Sequence, residues 1–225
     1  MQGENRVMRG LSFYGVLCVM CCVLTSCGSY LHTGNGQWVT QDRPLAAFDR
    51  IKLVGHFKVI YHDNRSRHLS VSADKNLLPY IRTRVEDGEL VVDVKPDARL
   101  QSSKTITLRL NNPSLHEINT AGSNEIELSD LKEEWLRVHA YGGDKIALHG
   151  QVKEVLYEAS GNAHIDAARL KTEETSVKMR GAGDLVASVD KTLKVNLSGV
   201  ATVSYRGEPK VSSTLTGVAR VKHVI

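Results

Sequence analysis

The sequence predicts an all-β protein, in which a parallel β-helix (a β-solenoid) carries an antiparallel cap near its N-terminus. Two observations lead to this prediction. Glycines recur in the second half of the chain at intervals of 18 to 20 residues. Around them, apolar and polar residues alternate with a period of two, which is typical of a strand with one buried face. A repeat of this length fits one rung of two or three short strands, stacked in parallel on the next rung.

The recurring glycines form a column that marks one bend of each predicted rung. Four residues after each glycine of the second half comes an aliphatic residue, from Ile126 to Val221. Glycine suits a bend at which neighbouring backbones come close, because it has no side chain. The predicted column consists of Gly55, Gly122, Gly142, Gly161, Gly181, Gly199 and Gly217.

The position two residues after each glycine is mostly small, which predicts that it points inward at a narrow corner. Asp144 is the exception in this second column. A carboxylate cannot be buried without hydrogen-bond partners. We therefore expect Asp144 either to turn outward or to accept hydrogen bonds from backbone amides.

The first half of the chain is less regular and contains the predicted cap. The segment Glu86-Asp87-Gly88-Glu89 separates two alternating runs and predicts a hairpin turn between antiparallel strands. Residues 76–80, which include Pro79, predict one short helical turn. An antiparallel element here would shield the end of the β-helix from edge-to-edge pairing.

The N-terminus predicts a lipoprotein signal peptide over residues 1–26, followed by a lipidated Cys27. Arg6 and Arg9 precede an uncharged segment, Leu11–Leu24, that is too short to span a bilayer comfortably. Leu24-Thr25-Ser26-Cys27 resembles the bacterial lipobox, whose cysteine becomes the acylated first residue of the mature chain. The alternative is a buried first helix with an incidental cysteine. All four cysteines lie in the first 27 residues, so cleavage would leave no disulfide.

Residues 27–46 are rich in glycine and predict a flexible tether between the lipid and a domain at residues 47–225. Gly28 stands where an aspartate would retain a lipoprotein in the inner membrane, which favours the outer membrane. Residues 29–32 contain no acidic residue, so the acidic tag of many surface lipoproteins is missing. We therefore expect an exported outer-membrane lipoprotein, with the periplasmic face favoured over the cell surface.

Several segments resemble the head GIN domain family of putative auto-transporter adhesins, across about residues 47–225. The resemblance implies a right-handed β-helix, often on a lipoprotein signal in Bacteroidetes, and it supplies no catalytic residues. Val200 and Val218 depart from the family pattern, because they replace a small residue after the glycine. The segments that carry the resemblance are Phe48–Ile51, Gly55–Val59, Asp74–Leu78, Asp87–Leu90, Pro113–Leu115, Ile118, Ala121–Ser123, Ser160–Gly161 and Gly181–Asp184.

A polar column three residues after each glycine is the main candidate for surface chemistry. Because adjacent rungs lie about 4.8 Å apart, Glu125 is expected to face Lys145, and His164 to face Asp184. These pairs predict a recognition stripe, a His–Asp pair at a site, or a solvated ladder of ion pairs that contributes little to stability. No two carboxylates are neighbours in the column, which argues against a calcium-dependent lyase. The column reads Lys58, Glu125, Lys145, His164, Asp184, Thr202 and Arg220.

The remaining motifs predict no catalytic residue, no metal site and no cofactor. His56, His62 and His68 are spaced by six residues, and no cysteine or carboxylate completes a zinc-binding set. No nucleophile elbow or phosphate-binding loop occurs in the sequence. Trp38 and Trp135 could stack on sugars, although Trp135 is better explained as closing the edge of a rung.

The leading functional hypothesis is therefore a non-enzymatic, lipid-anchored envelope protein that acts by adhesion or another envelope contact. The alternative is a glycan-binding or glycan-active protein with a shallow site on one face of the β-helix. An envelope glycan or protein is the expected ligand. A formal net charge of +4 is too small to indicate nucleic-acid binding. The last predicted rung ends without a cap, so either it pairs with a second copy in a homo-oligomer or Lys222 and His223 protect its edge from pairing.

Overall fold

The computed structural model describes residues 29–64 and 66–225, and these residues fold almost entirely as β-strands. One 3₁₀ turn, Leu78–Tyr80, interrupts them. The predicted signal peptide and Cys27 lie outside the described residues. The strands are β1 (Tyr30–Thr33), β2 (Trp38–Arg43), β3 (Arg50–Gly55), β4 (Lys58–Asp63), β5 (His68–Asp74), β6 (Ile81–Glu86), β7 (Glu89–Val94), β8 (Ala98–Gln101), β9 (Thr107–Asn112), β10 (Glu117–Gly122), β11 (Glu125–Gly142), β12 (Lys145–Arg206) and β13 (Lys210–His223).

Alternation of apolar and polar residues decides which face of each strand is buried. In β11, Ile126 and Leu128 point inward, while the glutamates beside them are exposed. The same alternation runs through β12, from Ile146 to Val203. Inward side chains of all these strands meet in one aliphatic core, to which Phe57, Tyr61 and Tyr157 contribute the largest fully buried side chains.

Eleven of the described strands form a single sheet, and β1 and β8 form a separate parallel pair. In the large sheet the order is β2-β5-β9-β4-β11-β10-β3-β7-β6, with β12 joined to β11 and β13 joined to β12. The contacts of β3 with β10, β10 with β11, β11 with β12 and β12 with β13 are parallel. Three contacts are antiparallel, namely β2 with β5, β5 with β9 and β6 with β7.

The prediction of an all-β protein is correct, but the predicted right-handed parallel β-solenoid with a separate N-terminal antiparallel cap is wrong. The antiparallel strands belong to the same sheet as the parallel strands, since β9 pairs with β5 and β4, and β7 with β6 and β3. The sheet is therefore mixed, and it curls into a nearly closed, barrel-like form. The physical reason is that β9 pairs in parallel with β4 on one side and antiparallel with β5 on the other, so the antiparallel strands continue the sheet instead of forming a separate cap.

Residues 29–46 do not form the flexible tether that was predicted for residues 27–46. β1 pairs with β8 and β2 pairs with β5, so this segment is part of the folded domain. Glycines at 34 and 36 suggested flexibility, but they lie in the turn between β1 and β2. The domain of ordered structure therefore begins well before residue 47.

Asp74 connects this N-terminal segment to the rest of the domain. Its side chain is fully buried and accepts hydrogen bonds from Gly36 N (2.8 Å), Ser102 Oγ (2.7 Å) and Ser103 N (2.8 Å). The Ser103 backbone N–H has the largest effect on the pKa of this carboxyl, and with the other donors it lowers that pKa although burial opposes it. The carboxylate thus joins the β1–β2 turn to the loop after β8.

The recurring glycines lie beside one another, either on neighbouring strands or within the long strand β12. Gly122 pairs with both Gly55 and Gly142, Gly142 also pairs with Gly161, and Gly199 pairs with Gly217. An added Cβ at Gly181 would meet the Gly161 backbone, and one at Gly199 would meet the Gly181 backbone. The column therefore brings the backbones of successive strands into close contact at one corner of the sheet.

The last strand, β13, pairs with β12 along its whole length. Among the described residues, no strand pairs with its other edge, and Val211 and Leu215 are 38% and 42% exposed. Self-association through this end stays a prediction.

We expect Gly142→Ala to destabilise the domain by at least about 2 kcal/mol, because φ is +144° and the new Cβ would lie 2.1 Å from Gly122 O. Gly143→Ala is the matched control, since its Cβ would come no closer than 3.4 Å to the Ser123 hydroxyl. Urea unfolding measures both variants. Equal stability of the two variants would contradict the role given to this corner.

The lowered pKa of Asp74 predicts a specific loss of stability in acid. The folded-state pKa is below the unfolded value of about 3.9, so the contribution is complete above that value and disappears as pH falls through the folded-state pKa. We expect Asp74→Asn to be less stable than the wild type at neutral pH and to lose less stability below about pH 4. Thermal unfolding across this range measures the difference, and exposed Asp42→Asn on β2 is the control. An unchanged acid profile in the Asp74 variant would contradict this assignment.

Candidate functional site

The predicted polar stripe lies on one outward face of the sheet. Lys58, Glu125 and Lys145 occupy aligned positions on β4, β11 and β12. Lys58 Nζ donates to Glu125 Oε1 at 2.6 Å, and His164 Nδ1 lies 2.5 Å from Asp184 Oδ1. Glu125, Lys145, His164 and Asp184 line one open hollow of 550 Å³. The structure therefore brings these four predicted residues together.

Arg220, the other predicted member of the stripe, lies on β13 and is aligned with Thr202. It does not line the hollow around His164. The ion pairs of the stripe are exposed to solvent, with 46% of the His164 side chain and 53% of the Asp184 side chain accessible. In that environment the attraction between the partners is screened, so the stripe is an accessible polar surface that contributes little to stability.

Asp144 lies at the same corner as the stripe but points into the core. It is fully buried, and its Oδ1 accepts from the backbone and side-chain nitrogens of Asn124, each at 2.9 Å. Its Oδ2 accepts from the Thr120 hydroxyl at 2.7 Å. Hydrogen bonding to a backbone amide, one of the two expectations from the sequence, is therefore confirmed. Asp144 is a structural carboxylate that ties β10, the following corner and β12 together.

A second hollow, which sequence reasoning missed, lies on another outward face. Val54, Ala121 and Tyr141 are aligned on the consecutive strands β3, β10 and β11. Val54 is 40% exposed and Tyr141 is 50% exposed, while the small Ala121 leaves a gap between them. Lys52 and Asn119 line the same hollow, which has a volume of 400 Å³. The sequence signal that could have revealed this hollow is the position directly before each glycine of the column. The side chain at this position points outward on this face.

An edge of paired charges adjoins this second hollow. Arg82 and Arg84 on β6 both donate to Asp93 on β7, at 2.6–2.9 Å, and Arg84 also pairs with Glu86. These residues line an open groove of 530 Å³ that shares Lys52 and Val54 with the hollow. The two depressions therefore form a continuous polar surface that contains an aromatic side chain.

Trp135 is half-exposed at a different corner, where its ring already has protein partners. The His116 ring stacks on it at a centroid distance of 4.6 Å, and the Arg137 guanidinium lies 5.0 Å from its centroid. Glu133 accepts from the Leu115 backbone N–H at 2.9 Å and lies 3.1 Å from His116. These contacts explain Trp135 as part of the corner, and they leave less of its ring free for a sugar.

The three histidines at spacings of six have separate partners. His62 lies near Asp130, His68 near Asp42, and His56 against the Ser123 carbonyl oxygen. Within residues 29–64 and 66–225, no three His, Cys, Asp or Glu side chains are grouped so that they could hold a metal ion. The described part of the chain also contains no helix of the length and apolar character needed to cross a bilayer.

Comparison with known proteins shows the family. The family model described as "Putative auto-transporter adhesin, head GIN domain" matches residues 47–209, which is more than half of the chain. The chain therefore belongs to this family, and the resemblance seen in the sequence is confirmed. The family is described as an adhesin and not as an enzyme, and this indicates an exported or envelope-associated protein. No curated protein matches the sequence.

Solved structures show the same fold at low sequence identity. A putative adhesin from Bacteroides fragilis NCTC 9343 has a TM-score of 0.70 at 17% identity, covering 86% of this chain and 100% of that one. A putative lipid binding protein from Parabacteroides distasonis ATCC 8503 has a TM-score of 0.60 at 19% identity, with coverage of 87% and 100%. A putative adhesin from Parabacteroides merdae ATCC 43184 has a TM-score of 0.50 at 22% identity, with coverage of 87% and 99%.

The buried and exposed aspartates of one corner provide a matched comparison. We expect Asp144→Ala to destabilise the domain by about 3 kcal/mol, because it leaves the backbone and side-chain nitrogens of Asn124 buried without this acceptor. Asp184→Ala should cost less than about 1 kcal/mol, since its partner His164 is exposed. Urea unfolding compares the two. A large effect at Asp184 would show that the stripe is structural rather than a free surface.

Proposed function

We propose that this protein is a non-enzymatic, lipid-anchored protein of the outer membrane that uses its sheet surface for adhesion or another envelope contact. The observation that supports it best is the aligned display of polar side chains on consecutive strands. Strands about 4.8 Å apart hold these side chains at a fixed spacing, so the face presents a regular, rigid array of polar groups. Family membership supports adhesion as the kind of activity.

The arrangement of charge also favours binding over catalysis. In the stripe, cations and anions are partners in exposed pairs, as in Lys58–Glu125 and His164–Asp184. A glycosidase or lyase would require carboxylates that converge on one bond or one calcium ion. The alternating stripe is instead suited to a polar ligand that contacts several side chains weakly.

Glycan binding is the second candidate function, and the hollow beside Tyr141 favours it. An exposed tyrosine between polar side chains can pack on a sugar ring while its neighbours bond to hydroxyl groups. The putative lipid binding protein from Parabacteroides distasonis shares the fold, but 19% identity gives no reason to transfer lipid binding to this chain.

Lipid anchoring and exposure are tested together on whole cells. We expect the wild type in the outer-membrane fraction and Cys27→Ala to be missing from that fraction, because each buried acyl CH₂ contributes about 0.8 kcal/mol to anchoring. Protease treatment of intact cells then reports the location. Digestion without breaking the outer membrane would support adhesion at the cell surface.

Protection until the outer membrane is broken would place the domain in the periplasm. That result would contradict cell-surface adhesion and leave contact within the envelope as the function. If Cys27→Ala still reached the outer-membrane fraction, lipidation would be excluded as the anchor.

A further inference from the structure

We propose that the hollow between Val54 and Tyr141 binds a carboxylate-bearing sugar unit of a polysaccharide. Lys52 would pair with the sugar carboxylate, and Tyr141 would pack against the sugar ring. The inference rests on the proposed binding function and names the class of ligand for one face of the sheet.

The shape of the hollow follows from the register of three strands. Val54, Ala121 and Tyr141 are aligned, so Val54 and Tyr141 stand two strand spacings apart, about 10 Å. Ala121 between them has almost no side chain and forms the floor. The hollow, called the slot below, therefore has one aliphatic wall and one aromatic wall and is open to solvent. Such walls suit the apolar C–H faces of a sugar ring.

Lys52 gives the slot its charge preference. It lines the slot, and its neighbours on the two flanking strands, Val91 and Asn119, are uncharged. Within the described residues it forms no ion pair, unlike Lys58, Lys153, Lys178 and Lys191, each of which contacts a glutamate. An ammonium group in this position is available to an anionic ligand.

Asn119 supplies a second polar group beside Lys52. Its amide nitrogen donates to Glu117 Oε1 at 2.9 Å and to Glu89 Oε1 at 3.2 Å. Both bonds use the nitrogen, and they fix the side chain so that its carbonyl oxygen can accept from a sugar hydroxyl group.

The adjoining groove lets a longer chain continue beyond the slot. It shares Lys52 and Val54 with the slot and carries Arg82, Arg84 and Lys95 against Glu86, Glu89 and Asp93. Counting Lys52, the groove has four cations and three anions. Arg82 and Arg84 are already paired with Asp93, so the further cation that an acidic glycan would meet is Lys95, which forms no ion pair among the described residues.

The test uses the full chain, purified in detergent, with polygalacturonate as the acidic probe and its methyl ester as the neutral probe. Calorimetric titration should show binding of polygalacturonate that weakens at high salt, and weaker binding of the methyl ester. Lys52→Gln and Tyr141→Ala should each bind polygalacturonate about tenfold more weakly, as expected for loss of one charged or aromatic contact. Circular dichroism checks that both variants remain folded.

Lys194→Gln is the matched control, because Lys194 is exposed at an outward position of the same face but does not line the slot. It should bind like the wild type. Equal losses in Lys52→Gln and Lys194→Gln, equal binding of the two probes, or no binding of polygalacturonate would each overturn the proposal. None of these results would overturn adhesion, which is tested separately by the exposure of the domain on intact cells.

Discussion

The close approach of backbones at the glycine column is the constraint on which the rest of this structure depends. At Gly142 the chain bends with positive φ while the Gly122 carbonyl lies where a Cβ would be. Because the same corner recurs along the glycine column, neighbouring strands keep the same residue alignment after the bend. Every outward side chain is thereby placed beside its counterpart about 4.8 Å away.

This register has different consequences inside and outside the sheet. Inside, it stacks aliphatic side chains such as Ile126 and Ile146 into one core, and it allows Asp144 to replace an apolar residue because Asn124 and Thr120 satisfy it. On the outer surface, it aligns side chains from neighbouring strands in rows that run across the strands. One row gives paired charges, as in Lys58 and Glu125, and another gives the slot between Val54 and Tyr141.

Sequence reasoning predicted the parts of the structure that depend on short-range pattern. The all-β character, the hairpin at Asp87-Gly88 and the helical turn before Ile81 follow from alternation and turn chemistry, and they are confirmed. The sheet topology was not accessible in the same way, because the pairing of β9 with both β4 and β5 joins segments with no shared repeat. The stripe residues around His164 were placed together correctly, since they stand at a fixed offset from the glycines.

The slot beside Tyr141 was missed for a related reason. Its walls belong to three strands, and its shape depends on the small size of Ala121 between two larger neighbours. This difference in side-chain size becomes apparent only when the residues of adjacent strands are aligned in the sheet. The N-terminal segment was misjudged because glycine content predicts flexibility, whereas a single buried carboxylate, Asp74, fixes the turn that contains the glycines.

With the proposed lipid on Cys27, the ordered N-terminal strand would limit how far the domain could stand from the membrane. β1 begins at Tyr30 and is held against Ala98 on β8. A lipid on Cys27 would be separated from it by three residue steps, which reach at most about 10 Å when fully extended. A domain attached in this way would sit on the bilayer surface with restricted orientation. Its partners would have to approach the membrane closely, because a link of three residues would be too short to lift the folded domain away from it.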